Sequence, residues 1–310
     1  MPDLNLHDHI PLTEYGPHGP ARYEYSWRGE YLDVCLISDV GHKRENNEDS
    51  CLICAPEDRA LARQRGILVA VADGMGGASA GELASRLTLR QTANALYLDT
   101  NGLSSPDALR AAVEKANLQV FEASEQDPRL SGMGTTISAL LLVGAWAYIA
   151  QVGDSRVYVA RKGTSLRQVT EDHSLVAEQM RCGLITAEEA RTHAMKNLIT
   201  RAVGIKENVK VDMFAIRLQQ GDTVLICSDG LSNMVGDVQL ERILVQSDLG
   251  SAGQMLTASA LDAGGTDNIT SALMRITGEP PPSEFEEGAQ PVVLDRPPGG
   301  FVNRLRRLLG

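Results

Sequence analysis

Four aspartates in this chain stand at the ends of short apolar runs, each beside glycine or asparagine, and that repeated placement limits the fold more than any other feature. They occur in Val69-Ala70-Val71-Ala72-Asp73-Gly74, Val152-Gly153-Asp154-Ser155, Val224-Leu225-Ile226-Cys227-Ser228-Asp229-Gly230 and Gly265-Thr266-Asp267-Asn268-Ile269. A fifth acidic point, Asn46-Asn47-Glu48-Asp49, comes after the first strand-like run. The runs are rich in β-branched residues or alternate, which predicts strands at 31–38, 66–72, 135–143, 146–152, 157–161, 209–218, 223–227 and 269–276. Helical patterns fall at 81–97, 106–122, 175–182, 187–194, 238–246 and 252–263, and Thr186-Ala187-Glu188-Glu189 carries the signature of a capping box. Clustered strands joined by tight links, with helices segregated from them, predict an α+β architecture of antiparallel sheets covered by helices.

Proline sets the expected boundaries. Of 13 prolines, only Pro56, Pro106 and Pro128 lie between Pro20 and Pro280. Proline interrupts helices and sheet ladders alike, so the regular domain is expected over residues 30–277. Residues 1–29 then read as an N-terminal tail, and 278–310 as a Pro-rich linker ending in a short basic amphipathic segment, Phe301-Val302-Asn303-Arg304-Leu305-Arg306-Arg307-Leu308-Leu309.

The 29 basic against 40 acidic residues give a net charge of -11, which disfavours nucleic acid and anionic lipid as partners. No apolar run is long enough to span a membrane, and the first 28 residues lack a signal-peptide core, so a cytoplasmic protein is expected. Five cysteines do not form a disulfide scaffold. Cys51 and Cys54 have CxxC spacing, but they lie within a strand-like run and read as buried packing residues.

Strand ends meet on the rim of a sheet, so carboxylates at several strand ends converge. Left alone they would repel one another or take up protons. Hard cations such as Mg²⁺ and Mn²⁺, which prefer oxygen ligands, remove that conflict. A single Asp-Gly pair is most simply a turn; three or more at the mouths of apolar strands point to a metal site. Arg44, in an otherwise acidic neighbourhood, suits a phosphate dianion, because its planar fork binds two phosphate oxygens at once.

Seven segments in order resemble the PP2C-type (PPM) phosphatase family in its bacterial form. They are Gly41-His42-Lys43-Arg44-Glu45-Asn46-Asn47-Glu48-Asp49, Asp73-Gly74-Met75-Gly76-Gly77, Gly132-Met133-Gly134-Thr135-Thr136, Val152-Gly153-Asp154-Ser155-Arg156, Asp172-His173-Ser174, Cys227-Ser228-Asp229-Gly230 and Gly265-Thr266-Asp267-Asn268-Ile269. The resemblance implies a β-sandwich of two antiparallel sheets flanked by helices, four layers in all. It implies that Asp73 bridges two Mn²⁺ or Mg²⁺ ions, that the Gly74 carbonyl, Asp229 and Asp267 are further ligands, and that Glu48 and Asp49 hold metal-bound waters. It gives Arg44 to the phosphate and Asn268 to the substrate. The stretch 175–197 is similar to the flap of bacterial members.

Two positions depart from the pattern. Met75 and Ala78 stand where many relatives carry a histidine, so this stretch supplies no general acid. Arg129-Leu130-Ser131-Gly132 lacks the expected acid for a third ion, which would draw on Asp229 with Asp127 or another carboxylate. His173 reads as structural, and His193 as exposed or structural. The function implied is hydrolysis of phosphoserine and phosphothreonine in proteins by a metal-activated water, without a phosphoenzyme, with a serine/threonine kinase as natural counterpart. The alternative is a catalytically silent regulatory module on the same fold, against which the presence of Asp73, Asp229 and Asp267 counts.

Overall fold

The computed structural model describes residues 13–19, 21–57, 59–98 and 102–280. The basic segment 301–309 and most of the expected linker lie outside them. In chain order the elements are β1 (Thr13–Gly16), β2 (Tyr23–Arg28), β3 (Leu32–Asp39), β4 (Asp49–Cys54), α1 (Arg59–Arg65), β5 (Ile67–Met75), α2 (Ala78–Leu98) and α3 (Ser105–Gln126). Then come β6 (Gly134–Thr135), β7 (Ile137–Val143), β8 (Trp146–Val152), β9 (Arg156–Ala160), β10 (Arg167–Gln168), α4 (Leu175–Arg181) and α5 (Ala187–Thr192). The last are β11 (Asp212–Arg217), β12 (Thr223–Cys227), α6 (Asp229–Ser232), α7 (Asp237–Gln246), α8 (Leu249–Asp262) and β13 (Ile269–Ile276).

One antiparallel sheet runs β1-β4-β5-β7-β8-β11, with β6 beside β5; the other runs β10-β9-β12-β13-β3-β2. The strands read as continuous apolar runs because both faces are covered. Along β5, Leu68, Ala70 and Ala72 pack toward α2 and α3, while Ile67, Val69 and Val71 face the other sheet. The two-residue side-chain period of a strand sorts them. On the second sheet, Cys35, Ile37, Leu225 and Leu273 pack under α7 and α8. The result is the four-layer αββα sandwich expected from the sequence. Each fully buried Leu, Ile or Val contributes about 1.5–3 kcal/mol, so three such layers dominate the stability.

The capping box at Thr186 and Glu189 forms as expected. Cys51 and Cys54 point to opposite faces of the sheet, one between the sheets and the other toward the helices. All five cysteines are free. No described helix is long and apolar enough to cross a membrane.

The expected tail through residue 29 needs correction. From Thr13 onward this segment belongs to the sandwich: β1 pairs with β4, and β2 pairs with β3. Both are edge strands, and edges tolerate the nearby Pro17 and Pro20, which a central strand would not.

Candidate active site: a rim of buried carboxylates

Strand pairing alone brings two of the acids together, since Asp49 at the start of β4 lies directly opposite Asp73 near the end of β5. Asp229 opens α6 just beyond β12, and Asp267 lies two residues before β13. Asp154 sits in the β8–β9 turn, 8% exposed, with Oδ1 buried and without a hydrogen-bond partner among the described residues. These five carboxylates share one rim of the sandwich.

Burial first, and mutual repulsion second, hold four of them above the usual carboxylate range. Burial, then Asp49, Asp229, Asp154 and Asp267, push Asp73 well above the usual carboxylate range. Burial pushes Asp49 up to about 8, against the lowering hydrogen bonds from Ser228 and Thr270. Burial and Asp229 push Asp154 up to about 8, and burial with Asp267 takes Asp229 to about 6. Glu48 is also raised by burial, with Arg44 opposing the shift.

Backbone contacts hold this strained group in place. Asp73 N–H donates to Thr136 Oγ1 at 2.9 Å, and its carbonyl accepts from Thr136 N–H at 2.9 Å and Thr135 Oγ1 at 2.8 Å. Ser228 Oγ donates to Asp49 Oδ2 at 2.7 Å. Gly74 has no room for a side chain: a Cβ there would lie 2.2 Å from the Gly81 carbonyl and 2.5 Å from that of Glu48. Glycine at this point lets α2 and the Glu48 loop close onto the strand end.

Arg44 reaches the rim from the β3–β4 loop. Its Nη2 donates to Asp267 Oδ2 at 3.0 Å with the side chain half exposed, so the guanidinium is held at the mouth with room for a second acceptor. Asn268 is elsewhere occupied. It is 4% exposed, its Oδ1 accepts from Glu48 N–H at 2.8 Å, and its Nδ2 donates to the Val40 and Asn46 carbonyls, both at 3.0 Å. Asn268 thus ties the β3–β4 loop to the start of β13 and thereby positions Arg44 and Glu48. Asp127 is also engaged within the chain. It sits at the end of α3, locked to the Arg129 guanidinium at 2.6–3.1 Å.

Asp154, which the sequence reading left without a role, stands on the same rim. It carries the same signal as the others, an aspartate at a strand end beside glycine.

Among the described residues no three His, Cys, Asp or Glu side chains are already drawn into a closed ligand shell. Hard cations do not require one, because Mg²⁺ in particular keeps several waters and takes one or two carboxylates. An all-oxygen donor set, a buried carboxyl oxygen without a partner, and carboxylates that raise one another's pKa fit divalent ions of this kind.

The flap stands beside the rim. A bridge between Ser174 and Ile199 closes its base, and α4 and α5 form its body. Between flap and rim runs a groove of about 590 Å³, lined by Asp154 and Asp229 on one side and by Met180, Ala187 and Lys196 on the other. His173 supports this edge, 3% exposed, its Nδ1 accepting from Gly153 N–H at 3.0 Å and its Nε2 lying 3.0 Å from Asp212 Oδ2. With Nδ1 accepting, the ring proton belongs on Nε2, where it donates to Asp212. His193, at the end of α5, is half-buried.

Comparison with known proteins agrees with the fold. The profile of the protein phosphatase 2C family matches residues 41–257. The serine/threonine phosphatase stp of Listeria welshimeri is 39% identical over 241 residues, 76% of this chain and 93% of that one. The protein phosphatase PhpP of Streptococcus pneumoniae is 35% identical over 254 residues, 80% and 99% of the two chains. Among solved structures, the serine/threonine phosphatase PstP/Ppp of Mycobacterium tuberculosis superposes with a TM-score of 0.71 at 36% identity, covering 80% of this chain and all of that one. A PstP catalytic domain holding two manganese ions does so with a TM-score of 0.69 at 35% identity, covering 80% and 99%. Profile, relatives and fold together make this chain a member of the protein phosphatase 2C family.

Proposed function

We propose that this chain is a metal-dependent protein serine/threonine phosphatase that removes phosphate from phosphoserine and phosphothreonine in one hydrolytic step. The observation that carries the reading is the rim on which burial and neighbouring acids raise the pKa of Asp49, Asp73, Asp154 and Asp229, with Asp267 among the acids that act on them. Asp73, Asp229, Asp267 and the Gly74 carbonyl would hold two Mn²⁺ or Mg²⁺ ions, with Glu48 and Asp49 accepting from waters around them. A third ion would use Asp154 with Asp229. When bound, such ions make water acidic enough to act as a nucleophile near neutral pH and neutralise charge on the phosphoryl oxygens.

The chain's own residues do the rest. Arg44 turns from Asp267 toward the phosphate and fixes two of its oxygens. Asn268 keeps the Arg44 loop in place. Among the described residues the rim supplies no phosphate-accepting side chain. Cys227 is fully buried, with its thiol pushed up to about 12 by burial, and the Ser228 hydroxyl is committed to Asp49. Water therefore attacks directly, without a phosphoenzyme. With no histidine at Met75 or Ala78, the leaving alcohol takes its proton from solvent within the rim.

Phosphorylated proteins are the substrates, and a serine/threonine kinase writing the same marks is the natural counterpart. Five free cysteines, four of them buried, support a reducing, cytoplasmic setting. Purified protein supplied with Mn²⁺ should release phosphate from a phosphothreonine peptide, and excess chelator should stop it. Folded, metal-loaded protein that releases none would favour the silent binding module instead.

A further inference from the structure

The second sheet ends, opposite the catalytic rim, in a small basic pocket. Asp267 and Asn268 precede β13 at the rim, whereas Arg275 and Ile276 close the strand eight residues later, roughly 25 Å away at strand rise. There a cavity of about 350 Å³ is lined by Arg161, Lys162, Gln219, Gln220, Val245 and Arg275 among others. In a chain of net charge -11, this local surplus of cations is unusual.

The charges are unequally matched. Arg161 is paired with Asp222, Nε at 2.8 Å and Nη2 at 2.7 Å. Arg275 donates to neutral acceptors, Thr223 Oγ1 at 3.0 Å and the Leu244 and Ser247 carbonyls at 2.9 Å. No described carboxylate touches it; Asp248 and Asp33 act on it only through space. Lys162 is exposed and forms no ion pair among the described residues. Val245, 40% exposed, adds an apolar wall.

The chain leaves the described structure at this pocket. Gly221 N–H donates to the Ile276 carbonyl at 2.8 Å, and Gln220 Nε2 donates to the Thr277 carbonyl at 3.0 Å, so residues of the pocket wall hold the departing strand. The sequence then continues as Pro280-Pro281-Pro282 and Ser283-Glu284-Phe285-Glu286-Glu287. Prolines stiffen the start of that path, and the five residue steps from Pro280 to Phe285 reach at most about 17 Å. The segment offers three carboxylates around one aromatic ring, within reach of three cations beside one apolar wall.

We propose that residues 283–287 dock into this pocket of their own chain, with Phe285 against Val245 and the glutamates beside Lys162 and Arg275. Electrostatic complementarity selects the segment, and the short tether supplies a high effective concentration, so modest contacts suffice. Docking would fix the C-terminal exit on the face opposite the catalytic rim.

Zero-length carbodiimide crosslinking of the full chain, read by mass spectrometry on the monomer fraction, tests this. Lys162 should join Glu284, Glu286 or Glu287 within one molecule. The yield should be lost in the Phe285→Ala variant and should fall in 1 M salt, which screens charge to about 3 Å. No such link, or a yield unchanged by Phe285→Ala, overturns the proposal, because tethered collision alone would give the latter. Links found only between two molecules overturn it in favour of a second copy as the occupant.

Discussion

The cluster of acids on the rim and the single acid Asp212 lie at neighbouring edges of the sandwich, and they behave in opposite ways. On the catalytic rim, aspartates face one another, and Asp49 and Asp154 are pushed up to about 8. At the base of the flap, burial likewise pushes Asp212 up, but the His173 hydrogen bond and the Arg201 and Lys210 cations outweigh it. The Asp212 carboxyl is held well below its usual range. Arg201 Nη1 stands 2.9 Å from Asp212 Oδ1, and Lys210 Nζ 3.1 Å from the same atom. One is balanced within the protein and contributes to folding; the other sets like charges against one another and costs stability. A carboxylate's surroundings, more than its burial, therefore tell a structural acid from a ligand-holding one.

The sharpest way to break this contrast is to neutralise one acid on each side. Asp229→Asn should cut kcat by about 10²–10³-fold, the scale seen when a preorganised charge-stabilising group is lost. In chelator the same variant should melt higher than the parent, because a repulsive partner of Asp73 and Asp267 is gone. Thermal melting with and without Mn²⁺ reads both halves; lower stability in chelator would place Asp229 with the structural acids.

A smaller effect, of the other sign, is expected at the flap. Asp212→Asn removes a charge-assisted partner from His173 and Arg201 and should cost about 1.5–3 kcal/mol in denaturant unfolding. Its kcat at saturating Mn²⁺ should change far less than that of Asp229→Asn.

The gentlest probe is pH. For Asp49 and Asp154 the folded pKa lies above the unfolded value near 4, so the folded chain holds protons that the unfolded chain has released. Metal-free stability should therefore fall as pH rises from about 5 to 8, by up to about 1.4 kcal/mol per pH unit for each proton held, and level off above. Saturating divalent ion should flatten the slope. Asp212 works the other way: its contribution is intact above about pH 4 and is lost as pH falls through its depressed folded value. A metal-free stability that stayed flat from pH 5 to 8 would remove the repulsion on which the contrast rests.

Much of this was legible in the chain. The run Ile67–Met75 announces a strand buried on both faces and ending in an acid, and Thr186 with Glu189 announces a helix start; both depend on neighbours a few residues away. The segment at Tyr23–Arg28 was harder to read. Its alternation of Tyr23, Tyr25 and Trp27 against Glu24, Ser26 and Arg28 marks a one-sided strand, but the flanking prolines made it resemble a tail. Asp127 and Asp154 look alike as letters; only the fold shows the first held by Arg129 and the second buried without a partner at Oδ1.

Sequence alone determined the apolar periods, the turn and cap residues and the acids at strand ends, because each arises from short-range sterics and from the two-residue repeat of a strand. Tertiary structure decided which acids confront one another, that Asn268 is spent on the Val40 and Asn46 carbonyls, and that residues 13–28 complete both sheet edges. Those outcomes depend on contacts between segments as much as 228 positions apart, where proximity, burial and charge pairing are properties of the packed chain and leave no local pattern.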